Sequence, residues 1–132
     1  MGLFSQLKKM KILLIDDDEW IRDSMTLFFE EENCMILALE TAEEALNILE
    51  ENGYDIIIAD YKLPGMNGLE FFRQIQGRCQ STIKIMISAY INRYVATMAE
   101  NVGLHELIEK PFKMEDIERS LSNLLFFKQD QI

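Results

Sequence analysis

A doubly wound parallel α/β domain, with five strands and five helices, is what this sequence predicts. Three observations lead there. Five short apolar runs alternate with five longer segments of helical period, the runs are continuous rather than alternating, and polar residues collect where the runs end. Parallel strands need crossovers, and those crossovers are right-handed, so strict strand-helix alternation implies helices on both faces of one sheet.

The runs are Lys11 to Asp16 (KILLID), Met35 to Leu39 (MILAL), Asp55 to Asp60 (DIIIAD), Lys84 to Ser88 (KIMIS) and Leu107 to Glu109 (LIE). After the first, Ile21, Met25 and Phe28 recur at helical spacing. Ala42, Ala45, Leu46 and Leu49 do so after the second, and Leu69, Phe72 and Ile75 after the third. Asp18 and Glu19 suit the positive start of the first helix. Thr41 with Glu44 makes a capping box, Asn92 is an N-cap, and Gly53 and Gly103 stand where helix C-terminal glycines belong. The last helix is expected from Met114 to Leu125, burying Ile117, Leu121 and Leu124. Residues 1–9 read as a short amphipathic lead-in, 10–127 as one domain and 128–132 as a tail.

Composition narrows the function classes. At 132 residues and 48% hydrophobic, the chain can bury one ordinary core. No apolar stretch approaches ~20 residues, so no spanning helix is expected, and the first ten residues lack a secretory signal's apolar centre. A net charge of −10 argues against binding a phosphate backbone. Cys34 and Cys79 lie far apart without metal-ligand spacing, as free thiols in a reducing cytoplasm would. His105 precedes the last strand and reads as a solvated surface residue, and the eight methionines read as core filler.

In a doubly wound sheet, function sits at the carboxyl ends of the strands. The first strand ends in Asp16, Asp17, Asp18 and Glu19, the third in Asp60, the fourth in Ser88, and the fifth is followed by Lys110 and Pro111. Two carboxylates ~4 Å apart repel by about 4 kcal/mol at an effective dielectric of ~20, so converging aspartates call for a raised pKa or a cation. Hard oxygen donors select Mg2+ or a relative. A lysine and a hydroxyl at neighbouring strand ends add a positive charge and a donor suited to phosphoryl oxygens. Such an assembly can put a phosphoryl group on a carboxylate.

The segments ILLIDDDEWIR, DIIIADYKLPGMNGLEFFRQI, KIMISAY and IEKPF, in this order and spacing, resemble the receiver domains of two-component response regulators, over residues 10 to 126. The resemblance implies the flavodoxin-like (βα)5 receiver fold and a phosphorylation-dependent signalling function. It makes Asp60 the phosphoacceptor and Asp16 and Asp17, with Asp60 and the backbone carbonyl of Lys62, the Mg2+ ligands. Ser88 becomes the hydroxyl of the site and Lys110 the phosphate-contacting lysine. Lys62 and Tyr90 occupy the positions that tune hydrolysis of the aspartyl phosphate, and small Ala89 leaves access for a donor. The bond before Pro111 is expected to be cis.

Leu107 departs from the family pattern, which places Tyr or Phe three residues before the lysine of Lys-Pro, so the aromatic readout is absent. The implied partners are a sensor histidine kinase or histidine phosphotransfer protein, a downstream protein target and, on phosphorylation, a second copy of the chain. Neither nucleic acid nor membrane is among them. With no output domain after Phe127, the chain is expected to act alone or as part of a longer protein. Two alternatives stand beside this one. A phosphatase of the haloacid dehalogenase type could parse DDD as Asp-x-Asp, but a helical pattern starts at once at Glu19 and no late acidic pair follows. A docking-only pseudo-receiver is opposed by the intact set of Asp16, Asp17, Asp60, Ser88 and Lys110.

Overall fold

The computed structural model describes residues 2–130, with side chains as far as Phe126. Its elements run α1 (Leu3–Leu7), β1 (Lys11–Ile15), α2 (Glu19–Glu31), β2 (Met35–Leu39), α3 (Ala42–Leu49), β3 (Ile56–Asp60), α4 (Gly68–Ile75), β4 (Ile83–Ser88), α5 (Arg93–Asn101), β5 (Glu106–Glu109) and α6 (Met114–Asp130). All pairings are parallel, in the order β2-β1-β3-β4-β5.

Because side chains alternate along a strand, each central strand feeds two cores. Ile12, Leu14, Ile56, Ile58, Ile85 and Ile87 meet α1, α2 and α6 on one face. Leu13, Ile15, Ile57, Ala59 and Met86 meet α3, α4 and α5 on the other. Two-sided burial is why the strands read as unbroken apolar runs. Lys84 is the exception, buried in mid-strand on β4, where burial lowers the pKa of its ammonium.

Caps set the helix starts as expected. Trp20 N–H donates to Asp18 Oδ1 at 2.9 Å, and the reciprocal Thr41–Glu44 box opens α3. Asn92 accepts Val95 N–H to open α5, and Asn67, a cap that the sequence reading did not name, accepts Glu70 N–H to open α4.

Four details differ from expectation. Among the described residues there are six helices, because the lead-in folds as α1, burying Leu7 and packing Phe4 against Phe28 in a tilted pair with ring centroids 5.8 Å apart. Gly53 does not adopt the left-handed conformation; Asn33 (φ 61°) does so after α2, and Gly103 (φ 81°) after α5. Asparagine tolerates that region because its short amide interacts locally with the backbone. In α6 the residue fully buried beside Ile117 and Leu121 is Leu125, with Leu124 half-buried on the flank, and the helix continues to Asp130 with no glycine or proline to stop it. His105, although exposed, is tied to the sheet, its Nδ1 accepting Lys84 N–H at 3.0 Å.

Candidate functional site

The carboxyl edge of the sheet brings Asp16, Asp17, Asp60, Ser88 and Lys110 together. Asp16 follows β1 and is completely buried. Its N–H donates to Leu39 O at 3.0 Å, its Oδ1 accepts Asp18 N–H at 2.9 Å, and its carbonyl accepts Arg22 Nη1 at 2.9 Å. Its Oδ2 has no hydrogen-bond partner. Lys110 Nζ stands 3.6 Å from that oxygen, close enough for an ion pair but beyond a good hydrogen bond, and donates instead to Asp60 Oδ2 at 2.9 Å. Asp60, the last residue of β3, is 5% exposed, while Asp17 is open to solvent.

Oxygens of Asp16, Asp17 and Asp60 lie within 4.8 Å of one another. The electrostatic strain falls on Asp16. Burial, with the Asp60 and Asp17 charges added and the Asp18 N–H and Lys110 opposing, raises its pKa from 3.8 to about 6. For Lys110, burial alone would lower the pKa, but the hydrogen bond to Asp60 and the two aspartate charges outweigh it and raise it. A buried carboxylate oxygen without a donor, beside two further carboxylates, suits a hard divalent cation, which would supply the missing partner and offset the repulsion. The acidic cluster therefore fits the metal-binding site of a receiver.

The chain between Asp60 and α4 explains why an apolar strand runs directly into a Pro-Gly turn. Gly68 N–H donates back to Tyr61 O at 2.8 Å, and a Cβ on Gly68 would stand 2.5 Å from the carbonyl oxygen of Asp60, so only glycine lets the helix begin so close to the strand end. Gly65 (φ 72°) supplies the left-handed step within the turn. The other candidate residues surround a cleft lined by Asp17, Asp60, Lys62, Ser88, Tyr90 and Lys110. Lys62, Ala89 and Tyr90 (65% exposed) stand at its mouth. Ser88 is buried but does not point freely into the cleft, because its hydroxyl donates to Tyr90 O at 2.7 Å and accepts Tyr90 N–H at 3.0 Å. Leu107 is half-buried among the α3–α5 core residues. The Lys110–Pro111 peptide bond is cis, as expected.

Two residues of the site escaped sequence reasoning. Arg22 holds the Asp16 carbonyl and reaches Glu40 Oε1 at 3.6 Å, and Glu43 of α3 accepts Met66 N–H at 3.0 Å. Both are side chains bonded to backbone outside their own helix, Arg22 to a carbonyl six residues back and Glu43 to an amide 23 residues on, a kind of contact that leaves no periodic trace in a sequence.

A five-stranded doubly wound sheet carrying three aspartates and a lysine at its carboxyl edge defines a phosphoryl-accepting receiver. The chain belongs to the response regulator receiver domain family, whose model matches residues 12–122. Among curated proteins it is similar to the transcriptional regulatory protein FlgR of Helicobacter pylori, 34% identical over 125 residues that cover 91% of this chain and 32% of that one. It is also similar to the transcriptional regulatory protein ResD of Bacillus subtilis, 32% identical over 120 residues covering 91% and 50%. The chain thus spans about a third and a half of the lengths of these two curated relatives. Among solved structures, a CheY-like receiver domain protein from Methanospirillum hungatei JF-1 superposes with a TM-score of 0.86 at 27% identity, covering 93% of this chain and 98% of that one.

The acidic cluster and the Lys110 ion pairs match the phosphorylation and metal site of that family. The chain is a signalling receiver whose chemistry is its own phosphorylation, which sets aside the haloacid dehalogenase alternative. Among the described residues, no helix is long and apolar enough to cross a membrane.

Proposed function

We propose that this domain takes a phosphoryl group from a phosphohistidine of a sensor histidine kinase or histidine phosphotransfer protein onto Asp60, and passes the signal to a downstream protein in the cytoplasm. The observation that carries this reading is the pairing of an unsatisfied, buried Asp16 Oδ2 with an Asp60 carboxylate held by Lys110 at 2.9 Å. Asp16 and Asp17, with Asp60 and the Lys62 carbonyl, are the ligands for Mg2+, which when bound neutralises charge on phosphoryl oxygens. An Asp60 oxygen attacks phosphorus, the P–N bond of the donor breaks, and its electron pair leaves with the imidazole. Lys110 keeps the carboxylate oriented and then meets the new phosphoryl oxygens.

The switch begins at Ser88. To donate to a phosphoryl oxygen its hydroxyl must release the Tyr90 carbonyl, so the 88–90 turn leading into α5 moves with the chemistry. With Leu107 in place of a ring, we assign the readout to that turn and to the face formed by α5, β5 and α6. Tyr94 (63% exposed) and Phe126 (66%) lie exposed on two of those elements, while the side chain of Phe127 falls outside the described residues. That face is the surface for a target or for phosphorylation-dependent pairing with a second copy.

The test is incubation with a small phosphodonor such as phosphoramidate, followed by intact mass. One phosphoryl group, lost on chelation of Mg2+ and in Asp60→Asn, is expected. Labelling that persists in both would overturn the proposal.

A further inference from the structure

The connection between β3 and α4, residues 61–67, follows the phosphoacceptor and carries Lys62. Its first residue pairs with the neighbouring strand β4, Tyr61 N–H donating to Ile87 O at 2.8 Å, and its two ends are closed on each other by Gly68 N–H donating to Tyr61 O at 2.8 Å. Its middle is held from elsewhere, by α3. Glu43 Oε2 accepts Met66 N–H at 3.0 Å, across 23 residues of sequence. Gly65, in the left-handed conformation, passes so near that a Cβ there would stand 2.7 Å from the same Glu43 oxygen.

Glu43 is not needed to cap its own helix. That task belongs to Thr41 and Glu44, whose reciprocal bonds occupy the N-terminus of α3. The Glu43 carboxylate reaches instead to the loop, and Gly65 is the residue that leaves room for it. We infer that Glu43 is a positioning residue for the metal side of the site, clamping the Gly65–Met66 turn so that the Lys62 carbonyl is held ready for the cation. This rests on the reading that the Lys62 carbonyl joins Asp16, Asp17 and Asp60 around Mg2+. Without the clamp the loop samples more conformations, and the cation must order them on binding, which lowers its affinity.

The experiment uses the metal-free protein and a Mg2+ titration, so that loop order and metal affinity are read separately. Glu43 is exposed on a helix surface, and its substitutions leave the core intact. Glu43→Ala should speed amide exchange at Met66 by about fivefold and weaken Mg2+ binding by about threefold to tenfold, the scale of one exposed charge-assisted hydrogen bond. Glu43→Gln keeps a carbonyl acceptor and should stay within about twofold of wild type on the same scale. Gly65→Ala should also weaken Mg2+ binding, and lose part of that effect when Glu43→Ala has removed the carboxylate it strikes.

Unchanged Mg2+ affinity in Glu43→Ala would overturn the inference, even if Met66 exchanges faster. So would Glu43→Gln as weak as Glu43→Ala, since charge and not the bond would then be responsible. A wild-type protein that takes up no Mg2+ would overturn the inference together with the metal reading. Mg2+ uptake unaffected by Glu43 would overturn the clamp alone.

Discussion

Replacing Asp16 by asparagine should stabilise the metal-free domain. In the native state this carboxyl titrates near 6 against an ordinary 3.8, a rise driven first by burial. Two pH units at about 1.4 kcal/mol each make an ionised Asp16 cost the fold about 3 kcal/mol at neutral pH. The sign follows from proton binding. Below 3.8 both folded and unfolded chains hold the proton and there is no penalty. Between 3.8 and about 6 the unfolded chain loses it first, so the penalty grows as pH rises, and above 6 it is complete.

The amide of Asp16→Asn keeps an oxygen for the Asp18 N–H but gives up the 3.6 Å ion pair with Lys110, which offsets part of the gain. The expected net stabilisation at pH 7.5 in chelator is roughly 1–3 kcal/mol, or about 4–11 °C in Tm. Urea unfolding of wild type and Asp16→Asn at pH 7.5, 6 and 4.5 reads it. The gap should shrink steadily toward pH 4.5. Saturating Mg2+ at pH 7.5 should also close it, because the ion binds only the wild-type native state well. A gap independent of pH, or a variant less stable than wild type in chelator at pH 7.5, would refute the electrostatic account of this cluster.

Other consequences can be measured on the same preparations. The aspartyl phosphate should decay about tenfold faster in the double variant Lys62→Asn, Tyr90→Glu than in wild type, because both exposed side chains crowd the approach of an in-line water, and tenfold needs only about 1.4 kcal/mol of barrier. Equal or slower decay would show that they do not gate it. Gly68→Ala should cost roughly 1–3 kcal/mol in urea unfolding, since its Cβ would collide with the Asp60 carbonyl. A variant as stable as wild type would mean that the strand end and helix start can separate freely. On phosphorylation, amide exchange should change in residues 88–94 first, where Ser88 exchanges its Tyr90 bonds for the phosphoryl oxygen. Exchange unchanged there would remove the proposed switch.

Much of this was legible in the sequence for physical reasons. The central strands β1, β3 and β4, buried on both faces, must be apolar nearly throughout, and the edge strands β2 and β5, although partly exposed, still read as short apolar runs. In a parallel sheet the strand ends share one edge, which is how Asp16, Asp60, Ser88 and Lys110 could be brought together from the sequence. Capping residues such as Thr41 and Asn92 act locally, so their roles were readable too. What stayed hidden depends on tertiary contact. A five-residue helix such as α1 is too short to show a period, and only Leu7 reaching the core reveals it. Leu124 and Leu125 differ by one helical step, which pattern alone does not resolve in a helix packed obliquely on a sheet. The bonds of Ser88 to Tyr90, which set the resting position of the hydroxyl, and the reach of Arg22 and Glu43 to backbone outside their own helices, depend on rotamers that sequence does not display.

On this reading Asp60 carries the phosphoryl group. Borohydride reduces an acyl phosphate to an alcohol, turning a phosphorylated aspartate into homoserine, so reduction after phosphodonor treatment, followed by peptide mass sequencing, reads the position directly. Homoserine at position 60 alone, formed only with Mg2+ present, is the predicted result. Homoserine at 16 or 17, or a stable phosphate on a hydroxyl residue with position 60 unmodified, would contradict it.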